Sequence, residues 1–94
     1  MTEIVLPRRQ AILAAARRHG FRHVRVFGSV RRSEASAKSD VDLLVDREGD
    51  PSLLDRAALA TELEAILGRP VDVVPEDSLH WLVRPQVLFE AVAL

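Results

Sequence analysis

The sequence predicts a small α/β or α+β fold in which one mixed sheet is flanked by helices. Three short runs rich in β-branched residues, at 24–27, 41–45 and 71–74, are each typical of a strand. Segments with apolar residues at helical spacing precede, separate and follow these runs. The 94-residue chain contains no internal repeat, low-complexity segment or linker. We therefore expect residues 1–94 to form a single domain.

The first two elements are a helix and a strand. A helix is predicted over residues 7–19, where Pro7 suits the first turn and Gly20 can end it. Its apolar stripe consists of Ile12, Leu13 and Ala16. The run at 24–27 is the first strand, and the polar and basic residues 30–39 predict a short helical turn followed by a loop.

The second strand and the clearest helix occupy the middle of the chain. The strand at 41–45 is apolar except for Asp42, which predicts a central position in the sheet. The next helix can be capped by Asp50, with Pro51 in its first turn and Gly68 at its end. We expect its buried face to contain Leu53, Ala57, Ala60, Leu63 and Leu67.

A third strand at 71–74 precedes a C-terminal helix. Asp77 or Ser78 can cap this helix, and Pro85 either kinks it or begins a new one. The apolar residues expected along it are Leu79, Leu82, Val83, Leu88, Ala91 and Val92.

Composition excludes several classes of protein. There is no cysteine, which rules out disulfides and thiolate metal sites and suits a cytoplasmic location. No apolar run reaches the length that spans a membrane. The basic residues are not interleaved with the few aromatic ones, so direct nucleic-acid binding is not expected.

Charge is distributed unevenly along the chain. Residues 1–38 carry nine Lys or Arg and two Glu, whereas residues 39–94 carry four Arg and twelve Asp or Glu. This division could place cations near a polyphosphate and carboxylates near a metal. It also fits two halves that form salt bridges with each other.

Two carboxylates mark the second predicted strand. Asp40 and Asp42 are two residues apart, so their side chains should project from one face of a strand. Carboxylates this close repel each other, and a divalent cation such as magnesium, which prefers oxygen ligands, would offset the repulsion. The spacing alone favours a solvated strand end with two incidental acids.

Gly28, Ser29 and Asp72 are further candidates. A glycine directly after a strand allows a tight turn and close approach of a ligand. The Ser29 hydroxyl and the following amides can then hold phosphate oxygens, although an ordinary turn has the same composition. Asp72 interrupts an apolar run. It can complete a three-carboxylate cluster if its strand lies beside the second strand, or it can face solvent.

Together these motifs resemble the nucleotidyltransferases of the DNA-polymerase-β-like superfamily, whose signature is Gly-Ser, a gap and an Asp-x-Asp strand. The matching segments are residues 24–30, 39–45 and 67–74. The resemblance is closest to the minimal nucleotidyltransferases, the MNT antitoxins of HEPN–MNT toxin–antitoxin pairs, and it covers essentially the whole chain. It implies the polymerase-β-like nucleotidyltransferase fold.

The resemblance assigns the nucleotide site to the first predicted turn. It implies that Gly28 and Ser29 hold the triphosphate of ATP and that Arg32 steadies a phosphate or the turn. The family often has glycine where this chain has Ser33, a departure that concerns the shape of this loop and not the carboxylates.

The resemblance also implies a reaction. Asp40 and Asp42 would bind Mg²⁺, and Asp72 would be the third carboxylate, which helps to activate the acceptor. The enzyme would transfer AMP from ATP to a tyrosine of a cognate HEPN ribonuclease toxin and so silence it, in a hetero-oligomer with that toxin. The alternative is a non-catalytic antitoxin that inhibits by binding only, and the three carboxylates favour the enzyme.

The remaining candidates have simpler interpretations. His19, His23 and His80 lack metal-ligand spacing and are predicted to be surface or packing residues. Trp81 is predicted to lie in the core or at an interface.

Overall fold

The protein folds around one four-stranded sheet. The computed structural model describes residues 6–28 and 41–94. The strands are β1 (Phe21–Phe27), β2 (Val41–Arg47), β3 (Val71–Pro75) and β4 (Val92–Ala93). The helices are α1 (Arg9–Arg18), α2 (Leu53–Leu67) and α3 (Arg84–Glu90), with 3₁₀ turns at Leu6–Arg8 and Glu76–Ser78.

The sheet is mixed, as the sequence predicts, and its strand order is β3-β2-β1-β4. β1 pairs antiparallel with β2 and with β4, whereas β2 and β3 are parallel. A parallel pair needs a crossover connection, and α2 provides it. The central position expected for the second strand is confirmed.

Helices α1 and α2 cover one face of the sheet. Their buried residues pack against alternate residues of the three longer strands, which all belong to one hydrophobic core: Val24, Val26, Val41, Leu43, Val45, Val71 and Val73. Side chains alternate between faces along a strand. Asp42, Leu44 and Asp72 therefore project from the opposite face, away from these helices.

Strand boundaries differ from the prediction in two ways. β1 begins at Phe21, not at residue 24, and β2 continues to Arg47. Arg22 and His23 obscure the start of β1 in the sequence, and the pairing with β2 shifts register between Arg22 and Arg25.

The second difference is β4, which was predicted as part of the last helix. It becomes a strand through its pairing with β1.

Helix α2 exists as predicted, but its cap differs and its buried face was predicted only in part. Ser52, not Asp50, is the N-cap, and it forms a reciprocal capping box with Asp55. Leu63 is buried as predicted, and Ala60 and Leu67 pack against the core. Leu59 is buried as well, whereas Leu53 is 76% exposed. Because the helix is apolar on most of its circumference, the sequence does not single out the face that meets the sheet.

The segment after β3 differs most from the prediction. A 3₁₀ turn and an irregular stretch replace the first part of the expected helix, and α3 begins only at Arg84, with Pro85 in its first turn. Trp81 is 73% exposed, so its predicted place in the core is wrong and an interface is the interpretation left. None of the helices described is long and apolar enough to cross a membrane.

Candidate active site

Strand register brings two of the predicted carboxylates side by side. Asp42 on β2 is paired with Phe27 on β1 and with Asp72 on β3. Residues paired directly across neighbouring strands project from the same face. The sheet therefore aligns Asp42 and Asp72 at the ends of three adjacent strands, as predicted for neighbouring second and third strands.

Gly28 lies directly against this pair. Its φ is +79°, a conformation that side chains other than glycine rarely adopt. A Cβ atom at this position would lie 2.5 Å from Oδ2 of Asp42. Only glycine leaves room for the Asp42 carboxylate here, so the end of β1 and the start of β2 fit each other closely.

Asp72 occupies a more open position than Asp42. β3 is an edge strand, and the Asp72 side chain is 58% exposed, with Nη2 of Arg56 3.9 Å from its Oδ1. An exposed pair at this distance is weak. The carboxylate therefore faces solvent at the sheet edge and also neighbours Asp42, which unites the two interpretations that the sequence allowed.

The remaining site residues predicted from the sequence, Ser29, Arg32 and Asp40, lie outside the described residues. Their roles stay predictions. Within residues 6–28 and 41–94, no three His, Asp or Glu side chains are grouped so as to hold a metal ion. A complete three-carboxylate site would therefore require Asp40 in addition to Asp42 and Asp72.

The donor set at this site suits a magnesium ion. Both aligned side chains supply carboxylate oxygens, and magnesium usually takes one or two carboxylates together with substrate phosphates. Gly28 itself places no side-chain atom against the Asp42 carboxylate. Asp42 and Asp72, with Asp40 as a predicted third ligand, would hold the ion.

Further along the same face lies an ion network that the sequence analysis missed. Arg25, with only 9% of its side chain exposed, donates from Nη2 to Asp46 at 2.6 Å and from Nη1 to Glu76 at 2.8 Å. Glu76 also accepts a bond from Arg84, and Asp46 is bonded to His23. The available signal for this network was an arginine between two apolar residues, Val24 and Val26. The sequence does not indicate its partners, because they are remote along the chain.

The network changes the acidity of Asp46. Burial by itself would raise the pKa of this carboxyl group. The hydrogen bonds from His23 and Arg25, together with the positive charge of Arg25, outweigh burial and lower the pKa below its ordinary value of 3.8. Asp46 is therefore a structural anion that joins β1 to β2.

Two of the histidines contact carboxylates. His19 lies 2.9 Å from Glu62, which also pairs with Arg18. His23 lies 3.0 Å from Asp46. Pairs such as Arg18–Glu62 and Arg25–Glu76 also join the basic and acidic halves of the chain. This agrees with the simpler interpretation of the uneven charge, in which the two halves form salt bridges with each other.

Known proteins are similar to this chain in fold and in sequence. The Nucleotidyltransferase domain family matches residues 9–94. Protein adenylyltransferase MntA of Thermococcus cleftensis is 43% identical over 97 aligned residues, with 98% of each chain covered. A protein of Methanocaldococcus jannaschii, assigned as a protein adenylyltransferase, is 39% identical over 84 residues that cover 89% of this chain and 90% of that one.

Solved structures agree with these relatives. One assigned as a minimal nucleotidyltransferase has a TM-score of 0.87 and 50% identity, covering 98% of this chain and 94% of its own. A toxin–antitoxin crystal structure with AMP-PNP has a TM-score of 0.77 at 23% identity, covering 89% and 69%, and shows the shared fold alone. The predicted fold and enzyme class are confirmed. Because the family match and the first relatives each span most of the chain, the protein belongs to the nucleotidyltransferase domain family, as a minimal nucleotidyltransferase.

Proposed function

We propose that the protein is an antitoxin that transfers AMP from ATP to a tyrosine hydroxyl of a HEPN toxin, in a magnesium-dependent reaction. The alignment of Asp42 with Asp72 beside Gly28 is the observation that carries this proposal. Carboxylates on neighbouring strands of one sheet face offer the oxygen ligands that a divalent ion prefers, and a nucleotide-bound magnesium ion commonly takes one or two of them.

Each site residue has a distinct task in this reaction. Gly28 and Ser29 bind the triphosphate, and Arg32 steadies a phosphate. Asp40 and Asp42 would hold the magnesium ion and so help to orient the ATP. When bound, magnesium supplies charge neutralisation at the phosphates and makes pyrophosphate a better leaving group.

Asp72 prepares the acceptor. Its carboxylate takes the proton of the acceptor hydroxyl, and the hydroxyl oxygen forms a bond to the α-phosphorus of ATP. The bond from that phosphorus to the bridging oxygen of pyrophosphate breaks, and pyrophosphate leaves. The exposed edge position of Asp72 supports this role, because an acceptor on a separate protein has to reach it.

A protein acceptor is supported by the molecular surface and by the relatives. Large apolar side chains are exposed in the C-terminal segment, with Trp81 at 73% and Phe89 at 90%, and clustered exposed apolar residues often mark protein interfaces. A solved neighbour contains a tri-AMPylated Shewanella oneidensis HEPN toxin in complex with an MNT antitoxin. We therefore propose a hetero-oligomer with a HEPN toxin in the cytoplasm.

Substitution of the carboxylates separates catalysis from binding. We expect Asp42→Asn to abolish AMP transfer, and Asp72→Asn to lower its rate by about 10²–10⁴-fold, the usual loss for a general base. Both variants should keep their fold and still co-purify with the toxin. Asp50→Asn, an exposed acid in the loop before α2, is the matched control and should retain full activity.

Mass spectrometry of the co-purified toxin measures the AMP adduct, and growth on co-expression measures protection. The protein would be a purely binding antitoxin if two results came together. Asp72→Asn would protect cells fully, and no adduct would form with either the variant or the unsubstituted protein. Normal adduct formation by Asp42→Asn would contradict the proposed metal site.

A further inference from the structure

Arg56 on α2 lies against the outer edge of β3. Its Nε donates to the carbonyl oxygen of Val73 at 2.6 Å, and β3 is the last strand on this side of the sheet. Only 32% of the arginine side chain is exposed. A hydrogen bond from a charged donor is stronger than a neutral one. The guanidinium group is therefore fastened to the strand edge.

From this position the arginine reaches the residue before Val73. The Asp72 side chain projects from the sheet face away from α2, but no further strand lies beyond β3, so a side chain from the helix can pass around the edge. Nη2 of Arg56 lies 3.9 Å from Oδ1 of Asp72. The arginine therefore places a positive charge beside one oxygen of this carboxylate.

Asp72 needs such a contact to keep one orientation. Its side chain is 58% exposed, and its strand has a neighbour on one side only. An aspartate in this setting can occupy several staggered χ1 rotamers. A carboxylate that takes a proton or binds an ion at a site has to be held close to one geometry.

The ion pair adds little to stability, because exposed charges at this distance attract each other weakly. Its effect on orientation is larger for two reasons. Arg56 is already fastened to Val73, so forming the pair does not restrain two free side chains. The rotamers of an exposed side chain are also close in free energy, and a small attraction is enough to change their populations.

We infer that Arg56 is a positioning residue for Asp72. It holds Oδ1 at the outer edge of β3 and so turns the second carboxylate oxygen away from that edge, towards the site that Asp42 shares. The inference rests on the proposed function, because that function gives Asp72 its task. Arg56 contacts neither ATP nor the acceptor in this arrangement and acts only through the carboxylate.

The orientation of Asp72 can be measured without metal, ATP or toxin. In the ¹³C,¹⁵N-labelled protein, three-bond couplings from the side-chain carboxyl carbon to the backbone nitrogen and carbonyl carbon report χ1. We expect values typical of one dominant rotamer in the unsubstituted protein and averaged values in Arg56→Gln. Averaged couplings in the unsubstituted protein, or identical couplings in both proteins, would overturn the inference.

Glu64 provides the matched control for a purely structural role. Its carboxylate accepts from the N–H of Val71 at 3.1 Å, so Glu64→Ala also removes a bond between α2 and the edge of β3. Glu64→Ala should keep the Asp72 couplings and the kcat for AMP transfer. Arg56→Gln should lower kcat about three- to fivefold, in line with the free energy of an exposed ion pair, with KM for ATP unchanged. Equal losses in the two variants would mean that Arg56 only secures the strand.

Two further variants test whether Arg56 acts through Asp72. Arg56→Lys keeps the positive charge and should recover most of the lost kcat. In the Asp72→Asn background, Arg56→Gln should lower the remaining transfer no further, because a positioning residue has no effect once its carboxylate is gone. A further loss in the double variant as large as that in Arg56→Gln alone would contradict action through Asp72.

The two kinds of measurement separate this inference from the proposed function. If the unsubstituted protein transfers AMP and Arg56→Gln retains its kcat, Arg56 has no positioning role, although the transfer reaction stands. If the unsubstituted protein transfers AMP to no acceptor, the proposed function fails. The couplings then decide by themselves whether Arg56 orients Asp72.

Discussion

At position 28 two requirements coincide. The backbone has a positive φ of +79°, and the space where a Cβ atom would project is occupied by the Asp42 carboxylate. Gly49 has nearly the same φ, +78°, but no atom lies within 4 Å of its Cβ position. A comparison of substitutions at the two glycines therefore separates the effect of backbone strain from the effect of displacing a carboxylate.

This comparison leads to a prediction for Gly28→Ala and its control, Gly49→Ala. Both substitutions should lower the free energy of unfolding by about 1–2 kcal/mol, because alanine is strained at positive φ. Gly28→Ala should also move the Asp42 carboxylate and reduce AMP transfer by about 10²-fold, a loss typical of a small misplacement. Urea unfolding and a transfer assay measure the two effects. Equal transfer rates would contradict a site at Gly28.

Asp46 gives stability a dependence on pH. Its pKa in the folded protein lies below the ordinary 3.8, so the folded state prefers the ionised form. The resulting stabilisation is fully present above 3.8 and is lost as pH falls through the lower, folded-state pKa. His23 and Arg25 are the cations that bind this carboxylate.

We therefore expect Asp46→Asn to be less stable than the unsubstituted protein at neutral pH. The difference should shrink as the pH falls below 3.8, because the unsubstituted protein then loses the same charge. Urea unfolding at a series of pH values measures the difference, with Asp50→Asn as a control for the loss of an acid outside the network. A difference independent of pH would contradict the structural role of the anion.

At the scale of elements, α2 is held by the capping box at its start. Ser52 Oγ accepts from the Asp55 N–H at 3.1 Å, and the Asp55 carboxylate accepts from the Ser52 N–H at 2.7 Å. The backbone and side-chain hydrogen bonds from Ser52 lower the pKa of Asp55. Because α2 forms the crossover between the parallel strands β2 and β3, its first turn matters for the pairing of these strands.

Ser52→Ala should lower the free energy of unfolding by about 1 kcal/mol, the usual cost of losing an N-cap. Thr61→Ala, at an exposed position inside the same helix, is the control and should change stability little, since alanine is the better helix former. Urea unfolding compares the variants. Equal stability of the two would mean that the capping box does not contribute.

For the whole molecule, the Arg25 network joins segments that are distant in sequence. Asp46 lies on β2, Glu76 follows β3, and Arg84 begins α3. The C-terminal segment otherwise contributes largely exposed side chains. The network therefore fixes this segment to the sheet face that also carries the aligned carboxylates.

Arg25→Ala should destabilise the protein by about 2 kcal/mol. Removing one member of a buried pair typically costs about 3–5 kcal/mol, and the partly exposed carboxylates of Asp46 and Glu76 regain some hydration. Arg22→Ala, on the same strand and exposed, should have little effect. Hydrogen exchange should also quicken in residues 79–90 of Arg25→Ala alone. Unchanged exchange there would show that the network does not hold the segment.

The aligned carboxylates could be predicted because their signals are local. Asp42 and Asp72 each interrupt an apolar run, and a carboxylate inside such a run is costly to bury, which marks it as a candidate site residue. Gly28 follows the first strand directly. The roles of Ser29 and Asp40 stay predictions.

The remainder depends on contacts between distant residues. Arg25 is recognisable as a network centre only once Glu76, 51 residues away, is seen beside it. Strand β4 is two residues long and exists through its pairing with β1, so no periodicity could indicate it. The buried side of α2 is decided by its packing against the sheet, because apolar residues lie on most sides of the helix.

The pairing of Asp42 with Asp72 limits how the gene can change in length. Residues 68–70 connect α2 to β3, and losing or gaining one codon there would slip β3 by one position. Such a slip would turn Asp72 towards the helices and a neighbouring valine towards the site, Val71 after a gain and Val73 after a loss. A codon added at residues 48–50, in the exposed loop between β2 and α2, leaves both strands in register. Insertions and deletions in functional descendants of this sequence should therefore occur in the loop at 48–50 and not in the connection at 68–70.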